Sequence, residues 1–239
     1  MIVLGFDTAT PSTAIGLRLA DGTTLQARDD PGPGDRPGHA TRLLGLAAGL
    51  LAEAGIAWSA LERIAVGVGP GRFTGLRIGI STARGLAQSL HTELVGVSSL
   101  HALAAAAGSG ELPVLAVIDA RRGEMFLGAY APAGESVSAR TASPEELPSI
   151  LAHAGRPRCA VGDGAVRYRG QLESAGVTVP EDSSPLHRVS AAAICEIARG
   201  RAAEEIDAVL PDYRRRPDAE IALERAVALT GSTPERAGA

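Results

Sequence analysis

Short apolar runs separated by turn residues dominate the beginning of the chain. Residues 2–6 (IVLGF) form an apolar run that ends at Asp7, and residues 13–19 form a second run between two turns. This order of run, turn and run is typical of a β-hairpin. Residues 28–38 (RDDPGPGDRPG) combine Pro, Gly and charge, which predicts a mobile loop.

Helical periodicity follows this loop. Apolar residues recur at helical spacing from His39, and Gly55 suits the end of this helix because glycine readily adopts a positive φ. The rest of the first half predicts two strands and two helices: a buried strand at 63–68, a helix at 76–90, a strand at 93–97, and a helix capped by Ser98 or Ser99 that runs to Ala107.

The opening pattern returns near the middle of the chain. Residues 113–119 (PVLAVID) form an apolar run that ends in Asp119, and a returning strand is predicted at 124–130 after a tight turn. Residues 2–19 show the same order of strand, Asp, turn and strand. The pattern therefore predicts an internal duplication.

The second half continues with alternating elements, as the first half does. The predicted elements are a strand at 158–161, a helix near 166–175 and a helix at 190–201. We therefore predict a two-lobed α/β protein, with lobes at residues 1–108 and 109–239 and a disordered tail over the last ten residues.

Composition narrows the function classes. Aromatic residues make up 3% of the chain and the net charge is −4, which argues against a stand-alone nucleic-acid binder that stacks bases and neutralises phosphates. All 23 basic residues are Arg, so a phosphate-loop Lys is absent. The N-terminus lacks the pattern of a signal peptide and no apolar run reaches membrane-spanning length, so we expect a cytoplasmic protein with no membrane contact.

Metal-ligand spacing is absent from the sequence. Cys159 and Cys195 lie far apart without a CxxC pair, and the five histidines include no H-x-x-x-H pair. We therefore predict no metal site and no catalytic residue in this chain alone.

The two aspartates at the strand ends are the candidate chemical groups. In a duplicated fold, Asp7 and Asp119 could face a central cleft and hold a metal–phosphate complex, with Thr8 beside them. In the other interpretation, each Asp only caps its own turn. The turn after Asp7, Thr-Ala-Thr, lacks the glycines of a phosphate cradle, and the turn after Asp119, Arg-Arg-Gly-Glu, is bulky and charged. The predicted nucleotide cleft is therefore a vestigial one.

A glycine-rich loop joins a strand to a helix at residues 69–75 (GPGRFTG). Such a loop can bind an anion, but it matches neither the P-loop nor the dinucleotide fingerprint. We interpret it as a structural elbow, in which Gly69, Gly71 and Gly75 supply positive φ angles, Pro70 fixes a turn and Thr74 caps the helix.

Small residues recur along two helices. One line of the 76–90 helix consists of Gly79, Ala83 and Ala87, and another consists of Ser81, Gly85 and Ser89. The helix from His39 also carries small residues: Gly45, Ala48, Gly49 and Ala52. Such lines let helices approach closely. One line per helix suits packing within the chain, and a second suggests an interface with another chain.

Several motifs together resemble the TsaB (YeaZ) family of bacterial tRNA threonylcarbamoyladenosine synthesis. They are GFDTAT at 5–10, GPGRFTGLRIG at 69–79, VSSLHALA at 97–104, IDARRGEMF at 118–126, VGDGA at 161–165 and PDYRRRPDAE at 211–220. They span nearly the whole chain. Two departures are Arg72, where Ser is common in the family, and the long loop at 28–38.

The resemblance implies a duplicated actin-like ATPase (ASKHA, RNase H-like) fold without a working active site. Family members support the catalytic subunit TsaD through helices of the N-terminal lobe and join the ATPase TsaE, and these partners use the ATP and the metal. The complex transfers a threonylcarbamoyl group from threonylcarbamoyl-AMP to N6 of adenosine 37 in tRNAs that read ANN codons. Whether the chain forms a homodimer without its partner is left open by the sequence.

Together with the small-residue lines on the two helices, the resemblance predicts a partner interface at His39, Leu43, Leu46, Leu50, Gly79, Ala83 and Ala87. The alternative function is an independent ATP-dependent phosphotransferase of the same superfamily. An RNase H-like nuclease ranks last, because it needs three or four clustered carboxylates and only Asp7 and Asp119, with Asp163 a distant third, are available.

Overall fold

The computed structural model describes residues 1–32, 34–108 and 110–214. The first sheet has five strands: β1 (Val3–Asp7), β2 (Thr13–Arg18), β3 (Thr24–Asp29), β4 (Arg63–Gly69) and β5 (Glu93–Ser98). They lie in the order β3-β2-β1-β4-β5, in which β2 is antiparallel to both of its neighbours and β1, β4 and β5 are parallel to one another.

The second sheet repeats this arrangement with four strands in the order β8-β7-β6-β9. Its strands are β6 (Val114–Arg121), β7 (Glu124–Ala131), β8 (Gly134–Ala142) and β9 (Cys159–Val161). In both sheets, three consecutive antiparallel strands are followed by a strand that lies parallel to the first one. The internal duplication predicted from the sequence is therefore present in the topology.

The helices cover both faces of each sheet. They are α1 (His39–Ala54), α2 (Phe73–Leu90), α3 (Ser99–Ala106), α4 (Leu147–His153), α5 (Asp163–Arg167), α6 (Arg169–Ser174) and α7 (Ala191–Arg199). α1 and α2 pack on one face of the first sheet, whereas α3 and α7 lie between the two sheets. α4, α5 and α6 cover the far side of the second sheet.

The β1 sequence reads as a continuous apolar run because both of its faces are buried. Val3 belongs to the core shared by the two sheets, whereas its neighbour Leu4 belongs to the core under α1 and α2. Successive side chains of a strand point to opposite faces, so a strand with helices on both sides needs apolar residues at every position.

Most predicted elements are confirmed within a few residues, including the αL glycine Gly55 after α1 and the Ser98 cap of α3. Three predictions need correction. α2 begins at Phe73 rather than at residue 76, the helix near 166–175 consists of the two short helices α5 and α6, and strands β3 and β8 were not predicted. The predicted disordered tail lies outside the described residues.

The predicted second lobe, residues 109–239, also needs correction. α7 packs against β1 and β2 of the first sheet, and residues 201–214 then run along the first lobe. There the backbone N–H of Glu204 donates to Leu94 and that of Asp212 donates to Val68. The chain therefore returns to its first lobe after completing the second sheet.

Candidate functional site

Asp7 ends β1 in a buried position. Its Oδ1 accepts a hydrogen bond from the backbone N–H of Ala9 at 2.8 Å, and its Oδ2 accepts one from the Ser99 hydroxyl at 2.5 Å. Burial raises the pKa of this carboxyl, against the lowering effect of the two hydrogen bonds. A Cβ on Gly67 would lie 1.8 Å from Oδ2. Asp7 therefore ties β1 to the start of α3, with β4 packed directly against it.

Asp119 repeats this turn-capping contact in the second sheet. Its Oδ1 accepts from the backbone N–H of Arg121 at 2.9 Å, two residues on, as Oδ1 of Asp7 accepts from Ala9. Its Oδ2 lies 3.6 Å from Nε of Arg121 and 3.5 Å from Nη1 of Arg167. The capping interpretation is thus confirmed for both aspartates, and the second oxygen of each is also engaged.

Thr8 has a structural role as well. Its hydroxyl donates to the carbonyl oxygen of Gly75 at 2.8 Å, and the residue is fully buried. This bond joins the turn after β1 to the first turn of α2. Of the residues assigned to the vestigial cleft, Asp7 and Thr8 are held by hydrogen bonds within the protein, and Asp119 forms ion pairs with Arg121 and Arg167.

Asp163, which the sequence indicates only as a distant third candidate, lies beside Asp119. It is the first residue of α5, and its Oδ1 accepts from the backbone N–H of Asp119 at 3.1 Å. Burial raises the pKa of Asp163 to about 6 from an ordinary value of 3.8. Between these two values the folded protein binds more protons than the unfolded chain, so ionisation of Asp163 destabilises the fold.

We expect Asp163→Asn to stabilise the protein at neutral pH. Asn keeps the acceptor for the Asp119 N–H but does not ionise, so the variant and the wild type should have similar unfolding free energies near pH 4. The variant should gain up to about 3 kcal/mol by pH 7. Urea unfolding of both proteins across this range measures the difference. A difference that does not change with pH would contradict the assignment.

The loop between β4 and α2 is an elbow that lies against the turn after β1. Gly69 has φ +102°, whereas Gly71 and Gly75 are needed for close contact. A Cβ on Gly71 would lie 2.4 Å from the Ala9 carbonyl oxygen, and one on Gly75 would lie 2.0 Å from that of Thr8. Pro70 follows Gly69 through a cis peptide bond.

The predicted cap of α2 is wrong. Arg72 occupies the cap position without a side-chain hydrogen bond, and Thr74 is exposed inside the first turn. The helix starts earlier than predicted because its first turn is held from outside. The Arg72 N–H donates to the Ala9 carbonyl, and the Gly75 carbonyl accepts from Thr8.

Most residues assigned to the partner interface lie inside the chain, so the prediction is wrong for them. Those that are buried are His39, Leu43, Leu50, Gly79, Ala83 and Ala87. A Cβ on Gly79 would lie 2.3 Å from the Thr8 hydroxyl oxygen and 3.7 Å from the Val66 side chain of β4, so this line packs on the sheet and on the turn after β1. Leu46 is half-buried.

His39 is held by a contact that the sequence does not reveal. Its Nδ1 lies 2.8 Å from the Thr13 hydroxyl, while its Nε2 is buried without a partner among the described residues. Burial lowers the pKa of His39, and the nearby Arg72 charge acts in the same direction. A neutral imidazole in the core cannot serve as a contact residue for a second chain.

The other small-residue line of α2 faces outward. Ser81, Gly85 and Ser89 are exposed, and a Cβ on Gly85 would meet nothing within 4 Å. On α1 the exposed small residues are Gly45, Ala48, Gly49 and Ala52, next to Leu44, which is 51% exposed. We call these residues the outer face. Ser81 and Ser89 are the feature of the sequence that indicates an exposed face, because polar hydroxyls favour the solvent side of a helix.

Two further site classes find no support in the described part of the chain. No group of three or more His, Cys, Asp and Glu side chains is arranged to hold a metal ion among these residues. Within the same ranges, no helix has both the length and the apolar character that crossing a bilayer requires.

Comparison with known proteins shows which proteins this chain is similar to. The family model described as TsaD, tRNA N6-adenosine threonylcarbamoyltransferase, matches residues 36–155, half of the chain. TsaB of Escherichia coli, a tRNA threonylcarbamoyladenosine biosynthesis protein, is 38% identical over 132 residues, which are 54% of this chain and 55% of that protein. The structure of YeaZ from Pseudomonas aeruginosa matches with a TM-score of 0.73 and 31% identity over 89% of this chain and 99% of that chain.

The chain belongs to the TsaB (YeaZ) family. The fold extends beyond this family. The ethanolamine utilization protein EutJ from Carboxydothermus hydrogenoformans matches with a TM-score of 0.52 at 12% identity, over 81% of this chain and 90% of that one, which is a likeness of fold alone. The predicted two-lobed, actin-like α/β fold is thereby confirmed.

In this member of the TsaB family, residues 201–214 form a segment whose position could not be predicted; we call it the strap. Nη2 of Arg84 on α2 donates to the carbonyl oxygens of Asp207 and Val209, at 3.1 and 2.8 Å. The Thr141 hydroxyl of β8 donates to the Arg214 carbonyl at 3.1 Å. The strap therefore lies along α2 and ends at an edge of the second sheet.

Proposed function

We propose that this chain is a non-catalytic subunit of the complex that makes threonylcarbamoyladenosine in tRNA. In this proposal it binds and supports a TsaD-like catalytic subunit. That subunit transfers the threonylcarbamoyl group from threonylcarbamoyl-AMP to N6 of adenosine 37 in tRNAs that read ANN codons. Similarity to the E. coli relative, a tRNA threonylcarbamoyladenosine biosynthesis protein, supports the assignment to this process. The outer face of α1 and α2 supports the role of a partner subunit within it.

The outer face carries this proposal. Gly45 and Gly49 on α1 and Gly85 on α2 each have open space where a Cβ would be. Glycine within a helix costs about 0.5–1 kcal/mol relative to alanine, so three exposed glycines gain nothing for the isolated fold. Small residues at this spacing suit close packing against helices of a second chain.

The absence of a catalytic role is supported by the aspartates. A phosphotransferase of the actin-like type needs carboxylate oxygens that can reach a metal–phosphate complex. Both oxygens of Asp7 accept hydrogen bonds from the protein, and Oδ2 of Asp119 faces two guanidinium groups. This arrangement favours the partner-subunit proposal over an independent phosphotransferase. In the proposed complex, the partners supply the ATP and metal chemistry.

The experiment that tests this function is reconstitution. Co-purification of this chain with a TsaD-like subunit, followed by modification assays with threonylcarbamoyl-AMP and tRNA, should show modification that depends on both proteins. A TsaE-like ATPase is expected to join this pair, tRNA to bind through the complex, and the assembly to work in the cytoplasm. Tight ATP binding and turnover by the isolated chain, without such a complex, would instead support the phosphotransferase.

A further inference from the structure

Two of the few aromatic rings in this chain stack on each other at the surface. Phe73, at the start of α2, and Tyr213 of the strap have ring centroids 5.0 Å apart at an interplanar angle of 29°. Tyr213 is 41% exposed, and Leu210, three residues earlier in the strap, is 64% exposed. The strap thus adds an exposed apolar patch beside the polar outer surface of α2.

Arg77 is fixed against this stack. Its guanidinium carbon lies 4.0 Å from the centroid of the Phe73 ring, and its Nε donates to the Tyr213 hydroxyl at 3.1 Å. Among the described residues, Nη1 and Nη2 of Arg77 make no hydrogen bond to the protein. An arginine held by stacking presents its remaining donors in a fixed plane, which matches the two oxygens of a carboxylate.

The neighbouring charges indicate what kind of anion fits. Arg84 lies 3.9 Å from Asp207, and Arg214 lies 2.6 Å from Asp212. Among α2 and residues 206–214, this leaves Arg77 as the cation without a carboxylate partner. Nucleic-acid sites gather several unpaired cations because they neutralise successive phosphates. One unpaired arginine beside exposed apolar side chains fits a single carboxylate on a protein surface instead.

We propose that Phe73, Arg77, Tyr213 and Leu210 form a recognition anchor for the TsaD-like subunit. In this anchor Arg77 binds one carboxylate of the partner, and Leu210 and Tyr213 pack against an adjacent aliphatic side chain. The anchor adjoins the outer face, since Arg77 lies one helical turn before Ser81 on α2. The inference rests on the proposed function and adds the chemistry of the contact to it. Arginine and tyrosine are also the side chains enriched at the energetic centres of protein interfaces.

Arg77→Gln tests the anchor in the full-length chain. By titration calorimetry at about 50 mM salt, we expect its affinity for the purified TsaD-like subunit to fall about 10- to 100-fold. The loss should shrink at about 500 mM salt, where ion pairs are screened. Arg77→Lys should recover only part of the affinity, because lysine lacks the planar fork. Arg140→Gln, at an exposed arginine of β8, is the matched control and should bind like the wild type.

A second variant separates binding from folding. Tyr213→Phe removes only the hydroxyl that orients Arg77, and it should weaken binding several-fold with an unchanged melting temperature. Wild-type affinity of Arg77→Gln, in a chain that binds the TsaD-like subunit, would overturn the anchor and leave the proposed function intact. Weaker binding of tRNA with unchanged affinity for the subunit would overturn it in favour of an RNA contact. A wild-type chain that binds no such subunit would overturn both proposals.

Discussion

Replacing Gly85 by tryptophan is expected to abolish association with the TsaD-like subunit while this chain stays folded. The Cβ of residue 85 points into open space, so the indole fits on the free protein. Tryptophan is also a better helix former than glycine. In a closely packed helical interface, the same indole would hold the two chains apart. We expect an affinity loss of at least 100-fold, about 2.7 kcal/mol, and a matching loss of tRNA modification.

The chain contains a suitable control for this experiment. Gly170 on α6 is also an exposed helical glycine with nothing within 4 Å of its Cβ position, but it lies in the second lobe. Gly170→Trp should co-purify with the partner as the wild type does. Circular dichroism and thermal melting establish that both variants are folded. Normal binding by folded Gly85→Trp would show that the outer face is not the interface.

The two small-residue lines of α2 show which features of the sequence distinguish the buried face of a helix from the exposed face. Both lines have helical spacing, so spacing alone cannot choose between them. Gly79, Ala83 and Ala87 lie in phase with the apolar residues Leu76 and Ile80, and all five side chains or Cα positions are buried. The neighbouring large residues therefore identify the inner face, and the α2 residues predicted for the partner interface lie on this inner face.

The ends of β1 and β6 and the internal duplication could be predicted because they depend on the order of apolar and turn residues over short stretches of the chain. Asp7 and Asp119 each follow an apolar run and precede a turn, and each accepts a hydrogen bond from the backbone two residues later. Two edge strands were missed for a physical reason. β3 and β8 pair on one side only, so their sequences contain polar residues that resemble a loop.

The return of the chain to the first lobe could not have been predicted. α7 was expected from its periodicity, but nothing in its sequence states that Cys195 will lie beside Gly5 and Gly16 of the first sheet. The Phe73–Tyr213 stack joins residues far apart in the sequence through the same return. Such contacts depend on how whole helices and strands pack against one another, and no short stretch of the sequence specifies that packing.

A pair of alanine substitutions on α2 should have opposite effects on stability. In Gly75→Ala, the new Cβ would lie 2.0 Å from the Thr8 carbonyl oxygen, and the Thr8 hydroxyl already donates to the Gly75 carbonyl. Relief requires the turn after β1 to move away from α2, so we expect a loss of about 3–5 kcal/mol. In Gly85→Ala, the Cβ meets nothing, and the better helix propensity should add about 0.5–1 kcal/mol.

Denaturant unfolding of both variants measures this contrast on a single helix. Because the two glycines differ in what surrounds them rather than in secondary structure, helix propensity alone predicts stabilisation at both positions. A stable Gly75→Ala protein would mean that the elbow at 69–75 moves freely relative to β1. In that case, the contacts from Thr8 and Ala9 would not be what holds the start of α2.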